Sequence, residues 1–214
     1  MEALLEANGL RDARLRLTLT RGNIKETEAE GSPATTMFIT AGALTNYPEE
    51  YYRRGMTVII SAYKQSPADP LAGHKSINYF GRLRALQEAQ RKQAGEALWF
   101  TTDNRLAEAC FCNVFLVLGG KVHTPPRDTP VLPGIVRQAV GEICRAEEIP
   151  YDDETLLTVH EMLAAEEMFL TASCSGIRPV VRVERHAVGD ETPGRVTKRI
   201  MSAYEELLRA ECGR

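Results

Sequence analysis

The sequence predicts a mixed α/β fold, with a barrel-like sheet flanked by helices. Three observations lead there. Leu15, Leu17 and Leu19 alternate with Arg16, Thr18 and Thr20, the period of a half-buried strand. Ile135, Val136, Ala139, Val140 and Ile143 recur at the spacing of an amphipathic helix. Strands and helices interleave, yet without the strict alternation of a parallel doubly wound sheet.

Along the chain, Met37-Phe38-Ile39 and Val58-Ile59-Ile60 are two further strand candidates. Between them "TNYPEE", with its breaker Pro48, marks the expected domain boundary. A small N-terminal piece then covers 1–46 and a large domain 47–214. After the loop "QSPADPLAG", Ile77, Phe80, Leu83, Leu86 and Ala89-Gln90 repeat at helical spacing from Ser76 until Gly95. Strands are expected at Ala97 to Thr102 and, after the Asp103-Asn104 turn, in "RLAEA". Another runs from Asn113 to Leu118 and returns through Gly119-Gly120 into Lys121 to Thr124 as a hairpin. A second long helix covers 134–149, and Thr158 with Glu161 forms the capping box of a short one. Met168 to Thr171 and Ile177 to Val183 read as strands joined by "ASCSG". The last helix begins near Pro193-Gly194.

A net charge of -3 with 43% apolar and 26% charged residues describes an ordinary globular chain and leaves no basic footprint for nucleic acid. The longest apolar runs, such as Val114 to Leu118, are too short to cross a bilayer, and "MEALLEANGL" lacks a basic signal region. Neither nucleic acid nor membrane is an expected partner, and the cytoplasm is the expected location. Cys110, Cys112, Cys144, Cys174 and Cys212 fit no zinc spacing and read as small buried thiols in a reducing compartment. The four histidines are scattered, and no metal is expected.

Four stretches break the pattern of a plain core. Lys75 stands where the helical periodicity begins. The positive end of a helix dipole disfavours a cation there by about a few tenths of a kcal/mol, which favours the neutral amine that a nucleophile requires. Glu108 sits in a run of small residues, where a buried carboxylate needs a partner. In "VLPGIVR", a helix start offers the amides of Ile135 and Val136 to a phosphate. The turn "ASCSG" offers hydroxyl and backbone donors to an anion. An amine nucleophile, a lone carboxylate and two anion-binding turns are the parts that pyridoxal phosphate chemistry uses.

The order of the segments "HKSINY", "RLAEACFCNVFLV", "TPVLPGIVR", "VHEMLAAEEMFLTASCSGIRPV" and "GRVTKRIMSAY" resembles the class IV (fold-type IV) pyridoxal-phosphate aminotransferases. That family comprises branched-chain and D-amino-acid aminotransferases and aminodeoxychorismate lyases. The resemblance implies that Lys75 matches the lysine that forms the Schiff base with pyridoxal 5'-phosphate and shuttles the substrate proton. Glu108 matches the acid on the pyridinium nitrogen. Ile135 and Val136 stand at the phosphate amides, Ser173 at a phosphate hydroxyl, and Tyr79 at the tyrosine touching the phenolic oxygen. Cys174 and Ser175 fall in the turn that faces substrate, Arg21 where D-amino-acid enzymes bind the substrate carboxylate, and Asn113 at a structural asparagine. Val136 departs from the family's usual threonine, which removes one hydroxyl contact.

The implied activity moves an amino group between an amino acid, branched-chain by preference, and a 2-oxo acid. D-amino-acid transamination and aminodeoxychorismate lysis are the neighbouring alternatives, and a homodimer is the implied assembly. One departure bears on all of them. The family's "HxxRL"-type phosphate arginine has no counterpart in the sequence, and residues 1–46 resemble only a remnant of the small domain. A truncated, non-catalytic remnant is the contrasting expectation.

Overall fold

The computed structural model describes residues 1–22, 35–44 and 46–213, in two units, Met1–Tyr47 and Pro48–Arg214. Thr45, which opens the "TNYPEE" breaker, lies outside the described residues.

In the first unit, helix α1 (Glu2–Ala7) precedes strands β1 (Ala13–Thr20) and β2 (Thr36–Ala43). The two strands pair antiparallel from Ala13 opposite Ala43 to Thr20 opposite Thr36. The alternation in β1 is real, and Leu15 is half-buried with Arg16 exposed, but further on the faces are reversed: Thr18 is buried, whereas Leu17 and Leu19 are 57% and 60% exposed. A two-stranded ribbon supplies no second layer of its own. Among the described residues nothing covers Leu17 and Leu19 fully.

The second unit contains α2 (Glu49–Arg53), β3 (Met56–Gln65), α3 (Phe80–Arg91), β4 (Glu96–Thr101), β5 (Leu106–Ala109), β6 (Asn113–Leu118) and β7 (Lys121–His123). Then come α4 (Ile135–Ala146), β8 (Tyr151–Asp152), α5 (Val159–Leu163), β9 (Glu167–Ala172), β10 (Gly176–Val183), β11 (His186–Ala187) and α6 (Arg195–Cys212). The strands form one sheet in the order β5-β4-β3-β10-β9-β6-β7-β8, with β11 on β10. Strand β3 runs parallel to β4 and β10, and β7 parallel to β8; the other pairs are antiparallel. β8 and β11, two residues each, are too short to show a periodicity in sequence.

That order forces curvature. Four strands separate β5 from β6, so a flat sheet would hold them about 24 Å apart at the usual strand spacing. The link through residues 110–112, closed by the Ala109 N–H to the Cys112 carbonyl at 2.7 Å, spans at most about 14 Å. The sheet must curl until β5 approaches β6, which gives the barrel-like form expected from the sequence.

Strand alternation divides the core. Val58, Leu98, Val114, Leu116, Met168, Leu170 and Val180 point to one face, closed by Leu157, Met162 and Val188. On the opposite face, Phe115, Val117, Phe169 and Ile177 pack under α4 and α6 through Val140, Ile143, Cys144 and Ile200. Ile59, Ala97 and Trp99 lie there too, under Ala85 and Ala89 of α3. No helix among the described residues is long and apolar enough to cross a membrane. All five cysteines are free; Cys110, Cys112 and Cys144 are buried as expected, but Cys174 and Cys212 are exposed.

Helix α3 corrects the sequence reading twice. It starts at Phe80, five residues after Lys75, so the dipole argument for Lys75 does not hold. Of the expected stripe, Ala89 is buried and Leu86 half-buried, but Phe80 and Leu83 are 76% and 49% exposed, and the face against the sheet is made by Ala85 and Ala89 with Arg82 in phase. Small side chains allow the helix to come close to the sheet, which a leucine stripe would hold off. α4 follows the expectation except at Ile135, which is exposed at the first helical position.

The short helix α5 has the expected capping box. Thr158 Oγ1 accepts from the His160 N–H at 3.1 Å, and Glu161 accepts from the Thr158 N–H at 2.8 Å and its hydroxyl at 2.6 Å. Thr158→Ala should lower the unfolding free energy by about 1 kcal/mol. The Thr158 hydroxyl bond, first among the causes, holds the Glu161 carboxyl below its ordinary range. A depressed folded-state pKa contributes stability above the unfolded carboxylate value and loses it as pH falls through the folded one. In urea unfolding, the gap between parent and Thr158→Ala should therefore narrow on acidification.

Candidate active site

Three chain segments converge on Glu108. The first is the turn-rich stretch carrying Lys75, wound by His74 N–H to Leu71 O at 3.1 Å and Ser76 N–H to His74 O at 3.0 Å. Gly73 adopts φ +74°, and a Cβ there would lie 3.4 Å from the Val131 carbonyl, so this stretch runs close to the Val131-Leu132 loop. The second segment is that loop, whose Leu132 N–H donates to Glu108 Oε2 at 3.0 Å. The third is α3, whose Arg82 Nη2 donates to Glu108 Oε1 at 2.6 Å.

Glu108 is 5% exposed. Burial pushes its carboxyl above the ordinary carboxylate range, and Arg82, the Leu132 amide and Lys75 oppose that push. Lys75 is itself exposed, but its charge falls within electrostatic reach of the buried acid. Tyr79 joins them from the Lys75 side: its ring lies 5.7 Å from that of Phe111, in the turn directly after Glu108.

The start of α4 is built from the same turn. Asn113 Nδ2 donates to the Leu132 carbonyl at 2.8 Å, and a Cβ on Gly134 would overlap the Asn113 amide oxygen. Only glycine lets the helix begin so near the strand. The α4 N-terminus has no side-chain cap, so the amides of Ile135 and Val136 stay open to a ligand. Val136's side chain is buried in the core, so only its backbone can serve.

The β9–β10 turn lies at this same end of the sheet, because Thr171 pairs with both Asn113 and Ile177. In it Ser173 and Cys174 are exposed and Ser175 is buried. The Tyr52 hydroxyl holds the turn by donating to the Ser175 carbonyl at 3.0 Å. The Oγ atoms of Ser175 and Thr171 are buried with no hydrogen-bond partner among the described residues. Buried hydroxyls left so imply a polar ligand or water nearby. An uncapped helix start, a buried acid and an accessible amine suit a cofactor with a phosphate, a ring nitrogen and an aldehyde.

Lys75, Glu108, Tyr79, Ile135 and Val136 are thus gathered by the fold, and Ser173, Cys174 and Ser175 stand at the same sheet end. Arg21 follows β1 in the other unit, exposed. Sequence reasoning missed Arg82. The available signal was its phase with Ala85 and Ala89, which marks a helix face too small-sided to be solvated by default.

A family model described as class IV amino-transferase matches residues 1–183. The chain belongs to the class IV aminotransferases. This class IV chain is 26% identical to the D-alanine aminotransferase of Bacillus licheniformis over 215 residues, 99% of this chain and 73% of that protein. Its fold matches the crystal structure of the Escherichia coli branched-chain amino acid aminotransferase with TM-score 0.83 at 27% identity. That match covers 96% of this chain and 68% of the other. In fold alone, it also resembles the branched-chain amino acid aminotransferase from Thermobaculum terrenum in its PLP-form (holo-form). That structure aligns with TM-score 0.82 at 24% identity, over 97% of this chain and 68% of that one.

Proposed function

We propose that this chain binds pyridoxal 5'-phosphate through Lys75 and transfers an amino group between a branched-chain amino acid and a 2-oxo acid. The observation that carries the reading is the buried Glu108 carboxylate, with Lys75 in electrostatic reach and an uncapped helix start alongside. Pyridoxal phosphate supplies an aldehyde that condenses with amines and a ring that withdraws electrons from the substrate α-carbon. Lys75 Nζ anchors the cofactor and carries the proton to and from that α-carbon. Glu108 accepts from the ring nitrogen and holds a proton on it. The Ile135 and Val136 amides, with the Ser173 hydroxyl, bind the phosphate; Tyr79 steadies the phenolic oxygen. Cys174 and Ser175 face the substrate, and Arg21 is assigned to its carboxylate.

A second reading, transfer from a D-amino acid, draws on the D-alanine aminotransferase relative. We further assign the protein to the cytoplasm and to a homodimer; exposed Ile77, Phe80 and Leu83 supply apolar surface for the latter.

Borohydride reduction of the protein loaded with pyridoxal phosphate should fix a phosphopyridoxyl group on Lys75, read by peptide mass mapping. L-leucine and D-alanine, each supplied with 2-oxoglutarate, separate the two specificities, and sedimentation of the same sample reports the dimer. A colourless protein that retains no label points instead to the non-catalytic remnant. Glu108→Gln should keep the label but slow amino transfer by about 10²- to 10³-fold, the scale of removing one organised electrostatic contact.

A further inference from the structure

Arg82 is held on several sides. Nη1 donates to the carbonyls of Ala109 at 2.9 Å and Cys110 at 3.1 Å, the two residues that follow Glu108. Nη2 meets Glu108 Oε1 at 2.6 Å and Gln65 Oε1 at 3.5 Å, and the guanidinium lies 5.3 Å from the centre of the Trp99 ring. One fork therefore clasps both the acid and the strand end that carries it. A planar guanidinium suits this, since its donors point in fixed directions.

We propose that Arg82 is a positioning residue for Glu108: it locks that carboxylate as an oriented anion, ready to accept from the cofactor's ring nitrogen. The inference rests on the cofactor reading above. A carboxylate has about four lone-pair sites. Arg82 takes one on Oε1 and the Leu132 amide one on Oε2, which leaves capacity for a ring N–H while the plane of the group is fixed. A buried carboxyl without a cation partner takes up a proton and turns from acceptor to donor. Among the described residues two charged groups face Glu108, Arg82 from α3 and Lys75 from the preceding turns; Gln65 from β3 and the Leu132 amide are neutral. Of the two cations Arg82 is the one in contact, so it dominates.

The first test needs no cofactor. With glutamate carboxyl carbons labelled and Glu108 assigned by Glu108→Gln, NMR titration of Arg82→Gln should move the Glu108 midpoint upward from the parent value. In the loaded protein, Arg82→Gln should slow the half-reaction with L-leucine or D-alanine, with little change in donor KM. That slowing should ease as pH rises and Glu108 ionises, and Arg82→Lys should recover part of it. A merely structural arginine gives a defect of equal size at every pH. An unmoved midpoint, or a pH-independent defect, overturns the proposal. If Arg82→Gln does not fold, the parent carries the test: Arg82 side-chain signals should shift as Glu108 titrates and stay flat in Glu108→Gln. Signals that ignore pH in the parent overturn the proposal equally. Failure of the cofactor reading looks different, because the loaded parent would then lack a Lys75 label while the cofactor-free titration still reports the Arg82–Glu108 pair.

Discussion

Lys75→Ala is expected to lower amino transfer by about 10⁴-fold, the upper end of what one positioned acid–base group contributes. Its unfolding free energy should stay within about 0.5 kcal/mol of the parent, as for an ordinary surface change. The two halves of the prediction come from the same placement. Lys75 is exposed in a segment wound by backbone hydrogen bonds, so its side chain adds little to packing. Three of the other described lysines are engaged elsewhere: Lys92 pairs with Glu88 at 3.0 Å, Lys121 with Asp152 at 2.8 Å, and Lys64 with Asn104. Borohydride should accordingly leave no phosphopyridoxyl group at another lysine. Transamination surviving in Lys75→Ala, or a label found elsewhere, would remove this lysine from the mechanism. A large loss of stability would show that the residue holds the loop together rather than serving the reaction.

Much of this was legible in the sequence, for identifiable reasons. A strand such as β6, with Val114 to Leu118 running unbroken between turns, could be placed because few other conformations bury so many consecutive apolar residues. The start of α4 could be placed because Pro133-Gly134 breaks the preceding chain, and the acid of "RLAEACFCN" because small neighbours leave it conspicuous. What escaped depended on tertiary approach. The stripe from Ile77 to Gln90 has helical spacing and includes the buried Ala89, but α3 turns Ala85 rather than Phe80 and Leu83 to the sheet, and the pattern does not say which of two faces finds a partner. An arginine in that helix reads as solvated by default, so Arg82's engagement with Glu108 emerges only once α3 lies against β3 and β4. The leucines of β1 show the same limit: alternation identifies a strand, not the side on which a second layer lies.

The second large effect lies behind the site, on the other face of the sheet. Glu96 and Arg178 are 3% and 1% exposed, and their charged ends stand 3.9 Å apart in the core. Cys112 lies between them, accepting from Arg178 Nη2 at 3.0 Å and sitting 3.7 Å from Glu96 Oε1. Glu96 also accepts the N–H groups of Ala97 and Cys110, each at 3.1 Å, and so ties β4 to the turn after Glu108. Arg178→Met keeps an apolar stem in the strand but strands the acid, which should cost about 3–5 kcal/mol, the penalty for breaking a buried pair from one side. Out of a total stability of about 5–15 kcal/mol, that is enough to leave part of the protein unfolded. Burial already pushes the Glu96 carboxyl upward, and Arg178 is the main opposing influence. Without Arg178 the folded-state pKa rises further. A raised value keeps stability below the unfolded carboxylate pKa and loses it as pH climbs through the folded one. Urea unfolding should therefore show a deficit for Arg178→Met that is modest near pH 5 and larger near pH 8. Adding Glu96→Gln, which removes the charge but keeps an acceptor oxygen for the two amides, should restore much of the loss and flatten its pH dependence. A deficit of the same size at both pH values would mean that Arg178 acts through its volume rather than its charge.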